Sequence, residues 1–259
     1  MAEKIMLWEN EAPYSEYSKD QPQPSLEAFP VPGSRGAMVV CPGGGYTHKA
    51  AHEGAPIARL LQGAGISAYV LDYRVSPCHR EAPLSDARRA IRLLKQMGYE
   101  KVGILGFSAG GHLCCSAATL YEPGNPESAD PVERFSSRPD VFCPCYAVVT
   151  FGKYTHMGSR ESLLGEEKDN EDLVRRFSAE LNVTRDTPPA FIWHTAQDGL
   201  VPAQNSLQLA MALRDNDVMF ELHVYPLGHH GIGLGSENQV ASQWGGEMCR
   251  FLVGMGFGV

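Results

Sequence analysis

Residues 106–110 read Gly-Phe-Ser-Ala-Gly, and this pentapeptide constrains the fold more than any other part of the chain. It follows an apolar run and precedes a series of small residues. A serine in this setting lies in a sharp strand-to-helix turn, and its hydroxyl stands clear at the end of the strand. The turn tolerates almost no side chain at its flanks, which accounts for Gly106 and Gly110. The turn also directs the free N–H groups at the start of the helix toward any group that the serine hydroxyl would attack. We therefore predict that Ser108 is a nucleophile.

Strand-like and helix-like patterns alternate over most of the chain. Short apolar runs are followed by stretches with apolar residues at helical spacing. This alternation predicts an α/β fold with a mainly parallel sheet and helices on both faces. Residues 10–36 are rich in Pro, Gly and polar groups, which predicts a surface loop with room for one edge strand. The predicted strands are 37–41, 66–71, 101–106, 141–149, 189–195 and 219–225; the predicted helices are 53–64, 83–95, one after Ser108, 202–214 and 237–253.

Two segments, 121–137 and 150–188, interrupt this alternation with Pro, charge and a short amphipathic stretch. Both segments follow the nucleophile in the sequence, and one interpretation is that they form a small cap over the substrate. Ordinary crossover helices and loops are the other. No internal repeat or linker is evident, so we predict a single domain over residues 1–259, with these segments as cap candidates.

Charge and composition exclude several classes of partner. The 259 residues carry a net charge of −8 and a pI near 5.6, without any run rich in Lys or Arg. Nucleic acid and membrane surfaces are therefore not expected as partners. No signal-peptide core or membrane span is evident, and the cysteine count of seven is odd, which favours reduced thiols and a cytoplasmic location. Cys143 and Cys145 lack zinc-site spacing, so we predict no metal.

The serine needs a base to take its proton, and the histidines late in the chain are the candidates. His194 and His223 lie inside predicted strands, which favours a packing role. His229 and His230 lie in a Gly-rich loop directly after a strand, where a catalytic histidine is expected. We predict His230 as the base because Gly231 after it permits a tight loop, and His229 remains the alternative.

The acid that orients the base should follow the preceding strand. Asp198 stands there, in a turn ahead of the next predicted helix. Its alternative role is that of an ordinary turn residue, since Asp before Gly often has that role. The order of Ser108, Asp198 and His230 along the chain favours the catalytic interpretation.

The developing oxyanion needs N–H donors that are in place before the reaction. One donor should be the backbone N–H of Ala109, directly after the nucleophile. Residues 41–46 read Cys-Pro-Gly-Gly-Gly-Tyr and follow a predicted strand, so their backbone can approach the substrate oxygen without an intervening Cβ.

With these motifs the chain resembles the esterase branch of the α/β-hydrolases, and within it bacterial carbohydrate esterases and carboxylesterases of the acetylxylan-esterase type. The resemblance covers nearly the whole chain and implies a triad of Ser108, Asp198 and His230. It also implies oxyanion donors at Gly44, Gly45 and Ala109. The segments that carry it are Leu7-Trp8, Ala12-Pro13, Pro42 to Tyr46, Glu53-Gly54, Tyr73 to Val75, Pro83 to Asp86, Gly106 to His112, Thr187 to Phe191 and Gly228 to Gly231.

By this resemblance we expect a cofactor-free serine esterase for short acyl esters, such as acetyl groups on xylo-oligosaccharides or other sugars. Its partner would be a small-molecule ester, and a homo-oligomer stays open. Tyr46 would either line the substrate pocket or pack as a wall residue. Arg74 and Asp86 would form a structural ion pair, with a direct role toward the substrate as the alternative. The alternatives are a serine peptidase of the prolyl-oligopeptidase type and a binding module on an inactive hydrolase scaffold.

Overall fold

A computed structural model describes residues 3–238 and 240–259, which contain eight strands and seven α-helices. The strands are β1 (Lys4–Met6), β2 (Ser25–Phe29), β3 (Gly36–Cys41), β4 (Ser67–Asp72), β5 (Lys101–Phe107), β6 (Val141–Cys145), β7 (Ala190–Thr195) and β8 (Phe220–Tyr225). They form one sheet in the order β1-β2-β4-β3-β5-β6-β7-β8. Strands β3 to β8 run parallel, whereas β1 and β2 form an antiparallel edge. The predicted mainly parallel sheet is confirmed.

Helices cover both faces of this sheet. The helices are α1 (Ala55–Gly63), α2 (Ala82–Gln96), α3 (Ser108–Thr119), α4 (Met157–Leu164), α5 (Glu171–Arg176), α6 (Gln204–Asp215) and α7 (Trp244–Gly254). On one face, α2, α3 and α6 contribute buried residues such as Ile91, Leu113 and Leu209. On the other face, α1 and α7 contribute Leu61 and Leu252. Strand β3 is buried at all its positions, which explains its continuous apolar sequence.

Two predicted elements extend well beyond the observed ones, whereas the others agree within about three residues at each end. The strand predicted over 141–149 ends at Cys145, because Tyr146 adopts a positive φ of 33° and the Val148 N–H leaves the sheet to donate to the Ser108 carbonyl at 3.1 Å. The closing helix, predicted over 237–253, begins only at Trp244. Asn238 accepts the N–H of Ala241 and fixes a turn ahead of it, and Gln239 lies outside the described residues.

Residues 10–36 contain one strand, β2, as expected, but it is not the edge strand, because β1 pairs with its outer side. Strand β1 has three residues, none of them buried, so no hydrophobic pattern marks it. The prediction of a single domain over 1–259 stays a prediction, since Met1 and Ala2 also lie outside the described residues. Within the described ranges, no helix has the length and apolar character needed to cross a bilayer.

The segment 121–137 packs against α2, where Glu133 pairs with Arg89 at 2.8 Å and Arg92 at 2.6 Å. It follows the end of α3, whereas Ser108 begins that helix, so its 12 residues separate the two by about 18 Å. The function of 121–137 as a cap stays a prediction.

The segment 150–188 contains α4 and α5. The Asn205 side chain of α6 accepts the N–H groups of Val149 at 2.8 Å and Thr150 at 3.1 Å. The carbonyl of Phe177, just after α5, accepts a hydrogen bond from His112 of α3 at 2.8 Å. These bonds anchor the segment beside the nucleophile helix, and its function as a cap stays a prediction.

Candidate active site

Ser108 occupies the sharp turn that the sequence predicts between β5 and α3. Its φ is +51°, in the left-handed region that L side chains rarely adopt. A Cβ on Gly106 would lie 2.0 Å from the Gly110 carbonyl oxygen, and one on Gly110 would lie 2.2 Å from the Cys41 carbonyl oxygen. The two glycines are therefore required by contact with backbone, which cannot move aside.

The structure brings Ser108, His230 and Asp198 into one hydrogen-bonded chain. His230 Nε2 lies 2.8 Å from Ser108 Oγ, and His230 Nδ1 lies 2.7 Å from Asp198 Oδ2. Because an ionised carboxylate only accepts hydrogen bonds, Nδ1 carries the imidazole proton and Nε2 is left to accept the Ser108 O–H. This is the arrangement in which a histidine can act as a general base toward a serine.

Asp198 is held on both of its oxygens. Oδ1 accepts the backbone N–H groups of Leu200 and Val201, each at 2.9 Å. Burial raises the pKa of the Asp198 carboxyl, but hydrogen bonds from His194, His230 and the Val201 N–H outweigh this effect. The net pKa lies well below its usual value, so Asp198 is ionised throughout the neutral range.

His229 points away from this chain of bonds. Its Nδ1 lies 2.7 Å from the carbonyl oxygen of His230, and its side chain is exposed. Both histidines belong to residues 226–235, which we call the histidine loop. The Thr195 hydroxyl, at the end of β7, donates to the Gly228 carbonyl of this loop at 2.7 Å. Of the two candidates, only His230 contacts Ser108 and Asp198.

Residues 42–46, which we call the oxyanion loop, pack directly beside the nucleophile. A Cβ on Gly43 would lie 3.0 Å from Ser108 Cβ. The Gly43 N–H donates to buried Glu53 at 2.7 Å, so this amide is engaged. The amides of Gly44 and Gly45 have no protein acceptor within the described ranges, and the N–H of Ala109 is among those that a helix start leaves free. Their role as oxyanion donors stays a prediction that this geometry permits.

Tyr46 packs as a wall residue. It is 1% exposed, and its hydroxyl lies 2.8 Å from His112 Nδ1. His112 Nε2 donates to the Phe177 carbonyl at 2.8 Å, so Nδ1 accepts the Tyr46 O–H. Burial lowers the pKa of His112 to about 4, which keeps this imidazole neutral. These contacts favour packing over the pocket-lining alternative.

The predicted ion pair of Arg74 and Asp86 is present and buried. Arg74 Nη2 lies 2.6 Å from Asp86 Oδ1, and the Arg74 N–H donates to Oδ2 at 2.9 Å. Burial raises the pKa of Asp86 to about 6, and the hydrogen bond from Arg74 opposes this rise. The guanidinium also lies 5.9 Å from the ring centre of Trp8, so the pair anchors the N-terminal segment.

Sequence patterns missed three polar side chains that contact the site. His194 packs within β7 as predicted, with Ser206 and Val201 as partners, but its Nε2 also lies 3.5 Å from Asp198 Oδ2. The i,i+4 spacing of His194 and Asp198 was the available signal. Glu53 and Tyr146 are buried beside the two loops, and their partners are too distant in the sequence for any local pattern.

A grouping with metal-ligand geometry lies away from Ser108, on β8 and α7. One ligand atom each from Glu221, His223 and Glu247 lies within 4.8 Å of the others. Arg250 pairs with both glutamates, and His223 Nε2 lies 2.6 Å from Glu221 Oε1, so these groups already have partners. The grouping has no contact with the serine site.

A mainly parallel sheet covered by helices, with a serine in a strand-to-helix turn hydrogen-bonded to a histidine and an acid, is the arrangement typical of the α/β-hydrolase fold. A model of the BD-FAE family matches residues 32–213, and the chain belongs to that family. This match confirms the expected resemblance, and relatives named as esterases agree with the expected class of carboxylic ester hydrolase.

Two relatives illustrate the similarity. Endo-1,4-β-xylanase B of Butyrivibrio fibrisolvens is 38% identical over 227 residues, which cover 82% of this chain and 35% of the relative. The acetylxylan esterase of Xylanibacter ruminicola is 32% identical over 213 residues, which cover 77% of this chain and 42% of the relative. The chain thus spans well under half the length of these curated relatives.

Solved structures show the same fold. The acetyl ester-xyloside bifunctional hydrolase of Caldicellulosiruptor lactoaceticus superimposes with a TM-score of 0.94 at 41% identity, covering 99% of this chain and 97% of that chain. The carboxylesterase Cest-2923 of Lactobacillus plantarum superimposes with a TM-score of 0.76 at 23% identity, over 100% and 99% of the two chains. The predicted α/β-hydrolase fold is therefore confirmed.

Proposed function

We propose that this chain hydrolyses short acyl esters, above all acetyl esters of xylo-oligosaccharides or similar sugars, with Ser108, His230 and Asp198 as its catalytic triad. One observation carries the proposal: His230 bridges Ser108 Oγ at 2.8 Å and Asp198 Oδ2 at 2.7 Å, as a general base requires. A buried carboxylate, a neutral imidazole and a serine hydroxyl in this order suit nucleophilic attack on an ester carbonyl.

In the first half of the reaction, Ser108 Oγ attacks the carbonyl carbon while His230 Nε2 takes the hydroxyl proton. Asp198 stabilises the imidazolium that forms. The carbonyl oxygen becomes an oxyanion, which accepts hydrogen bonds from the amides of Gly44, Gly45 and Ala109. The tetrahedral intermediate collapses, the leaving alcohol takes the proton from Nε2, and the acyl group stays on Ser108 as an ester.

In the second half, water replaces the alcohol. His230 Nε2 takes a proton from the water as its oxygen attacks the acyl carbon, and a second tetrahedral intermediate forms in the same oxyanion site. Its collapse breaks the bond to Ser108 Oγ, which recovers its proton from His230. The released acid and the free enzyme complete the cycle without a cofactor.

The substrate class rests on the relatives. One is named an acetylxylan esterase, and the similar solved structure is named an acetyl ester-xyloside hydrolase. The second activity in that name, on xylosides, belongs to that protein, and a separate assay on xylosides would test this chain for it. A serine peptidase activity would need the same triad, so a prolyl-p-nitroanilide forms a third assay.

The decisive experiment compares Ser108→Ala with Ser116→Ala on the same helix. Ser116 is buried and its Oγ has no hydrogen-bond partner among the described residues, so its replacement controls for the substitution itself. On p-nitrophenyl acetate and acetylated xylo-oligosaccharides, Ser108→Ala should lose at least ~10³-fold in kcat/KM, since triad members act as a unit. Ser116→Ala should stay within twofold of the wild type. Activity of Ser108→Ala within tenfold of the wild type, with an unchanged circular dichroism spectrum, would refute the assignment.

A further inference from the structure

A chain of buried hydrogen bonds joins the oxyanion loop to the histidine loop through Glu53 and Tyr146. Glu53 is 2% exposed. Its Oε2 accepts the N–H of Gly43 at 2.7 Å, and its Oε1 accepts the O–H of Tyr146 at 2.6 Å. The Tyr146 oxygen in turn accepts the N–H of Gly233, in the histidine loop, at 3.0 Å.

Both members of this pair carry a cost in free energy. A buried carboxyl group is unfavourable unless hydrogen bonds replace its water. Tyr146 has a φ of +33°, and side-chain-bearing residues in this region are strained and concentrate at functional sites. Burial, and then the carboxylate of Glu53, raise the pKa of the Tyr146 phenol, so it keeps the proton that it donates. Its ring centre lies 5.2 Å from that of His230, edge to face.

The histidine loop depends on such outside bonds for its shape. His52 Nε2, next to Glu53, lies 2.9 Å from the Gly231 carbonyl oxygen, and the Trp244 indole donates to the Gly233 carbonyl at 3.0 Å. A loop rich in glycine has many backbone conformations of similar energy. Four glycines of the loop adopt positive φ, namely Gly228, Gly231, Gly233 and Gly235.

The oxyanion loop depends on the same pair at its other end. The bond from the Gly43 N–H to Glu53 turns that amide toward the protein interior. The two following amides, of Gly44 and Gly45, are left without protein acceptors in the described part of the chain. Without the bond to Glu53, Gly43 would regain the backbone freedom of a glycine, and the direction of the next two amides would change with it.

We propose that Glu53 and Tyr146 are positioning residues for ester hydrolysis, which hold the oxyanion loop and His230 at the separation that the transition state requires. This inference rests on the proposed function. Neither residue takes part in the triad or donates to the oxyanion. Their loss therefore weakens contacts made in the transition state, and kcat falls while KM changes little.

The test uses Glu53→Gln, Tyr146→Phe and the double variant, with Tyr69→Phe as a matched control. Tyr69 is also a buried tyrosine, and its hydroxyl forms a hydrogen bond with the Tyr99 hydroxyl at 2.8 Å. Tyr69 packs on the opposite face of the sheet from α1. On p-nitrophenyl acetate, each single variant should lower kcat about 10- to 100-fold with KM within about threefold. This is less than the ~10²–10³-fold loss from removal of an oxyanion donor, because the donors remain but are misplaced.

Two further measurements separate positioning from a merely structural role. The double variant should have a kcat within about twofold of that of the less active single variant. Tyr146→Phe removes the hydroxyl, and Glu53→Gln replaces one of the two acceptor oxygens in the same chain of bonds. The inhibition constant of a short alkyl boronic acid, which mimics the tetrahedral intermediate, should rise by the factor by which kcat falls. A structural role alone would lower the melting temperature and leave kcat per folded molecule and this constant unchanged.

Tyr146→Phe keeps the aromatic ring packed against Trp193 and Phe107, so it carries the test if Glu53→Gln does not fold. A kcat for Tyr146→Phe equal to that of Tyr69→Phe would overturn the inference. That result is distinct from failure of the proposed function, which would appear as a wild type without esterase activity or an active Ser108→Ala variant.

Discussion

The substitution Asp198→Asn should remove nearly all esterase activity, although it replaces a single oxygen by an amide nitrogen. Asp198 Oδ1 accepts the backbone N–H groups of Leu200 and Val201, each at 2.9 Å. Backbone N–H groups only donate, so the asparagine must place its carbonyl oxygen where Oδ1 accepts these two N–H groups. Its Nδ2 then takes the place of Oδ2, which lies 2.7 Å from His230 Nδ1.

An amide nitrogen in that place donates a hydrogen bond, so His230 Nδ1 must accept one. The imidazole proton moves to Nε2, which lies 2.8 Å from Ser108 Oγ and is then unable to accept the serine proton. Such a tautomer change lowers kcat by about 10⁴-fold. At 1.36 kcal/mol for each factor of ten, the transition state loses about 5.4 kcal/mol.

The assay measures kcat and KM on p-nitrophenyl acetate, with Asp140→Asn as the control. The Asp140 side chain also accepts a backbone N–H, that of Val102 at 2.8 Å, but at the opposite end of β5 from Ser108. The control should therefore keep its kcat, while both variants retain the wild-type circular dichroism spectrum. A kcat of Asp198→Asn within tenfold of the wild type would show that the tautomer argument is wrong.

Three further outcomes follow from the site. His230→Ala should lose at least ~10³-fold in kcat/KM while His229→Ala keeps most activity, because the exposed His229 ring bonds only within its own loop; the reverse order would identify His229 as the base. Across p-nitrophenyl esters, kcat/KM should fall from acetyl through propionyl and butyryl to octanoyl, by at most about 1–3 kcal/mol per methylene; an optimum at octanoyl would contradict a sugar-acetate substrate. The pKa of Asp198 is lower in the folded protein than in the unfolded chain, so the ionised carboxylate stabilises the fold at pH values above the unfolded pKa of about 3.9. This stabilisation is lost as the pH falls toward the pKa of Asp198 in the folded protein. Urea unfolding from pH 6 to pH 3 should therefore show a larger loss for the wild type than for Asp198→Asn, and equal losses would refute the linkage.

The sequence was sufficient for those parts of the site that depend on local pattern. The turn around Ser108 needs glycines at fixed offsets, because a Cβ on Gly106 would meet the Gly110 carbonyl oxygen at 2.0 Å. Asp198 and His230 each follow an apolar strand, which the composition of β7 and β8 reveals. Their convergence with Ser108 follows from the rule that ligand sites lie at the carboxyl ends of parallel strands.

Contacts between segments that are distant in the sequence cannot be predicted from local sequence pattern. Tyr146 lies 93 residues from Glu53 along the chain, and its apolar neighbours placed it inside a predicted strand. The strand ends at Cys145 because tertiary bonds, such as that from Val148 to the Ser108 carbonyl, replace those of the sheet. Local pattern also does not predict the position of 121–137, because its ion pairs with α2 depend on which helix lies beside it.

The sheet order explains why the loop after β6 supplies the connecting side chain. Strands β3, β5, β6, β7 and β8 are consecutive neighbours, and they lead into the oxyanion loop, Ser108, Tyr146, Asp198 and His230 respectively. Strand β6 is thus the middle strand, with the nucleophile on one side and the acid on the other. A residue directly after β6 therefore follows a strand that lies between those of the nucleophile and the acid, and the ring centre of Tyr146 is 5.2 Å from that of His230. A large aromatic side chain with a hydroxyl at this position fills the gap with apolar surface and still reaches Glu53 and Gly233 at its tip. The same position with a phenyl ring would keep the packing and lose both bonds, so Tyr146→Phe isolates the positioning effect from the fold.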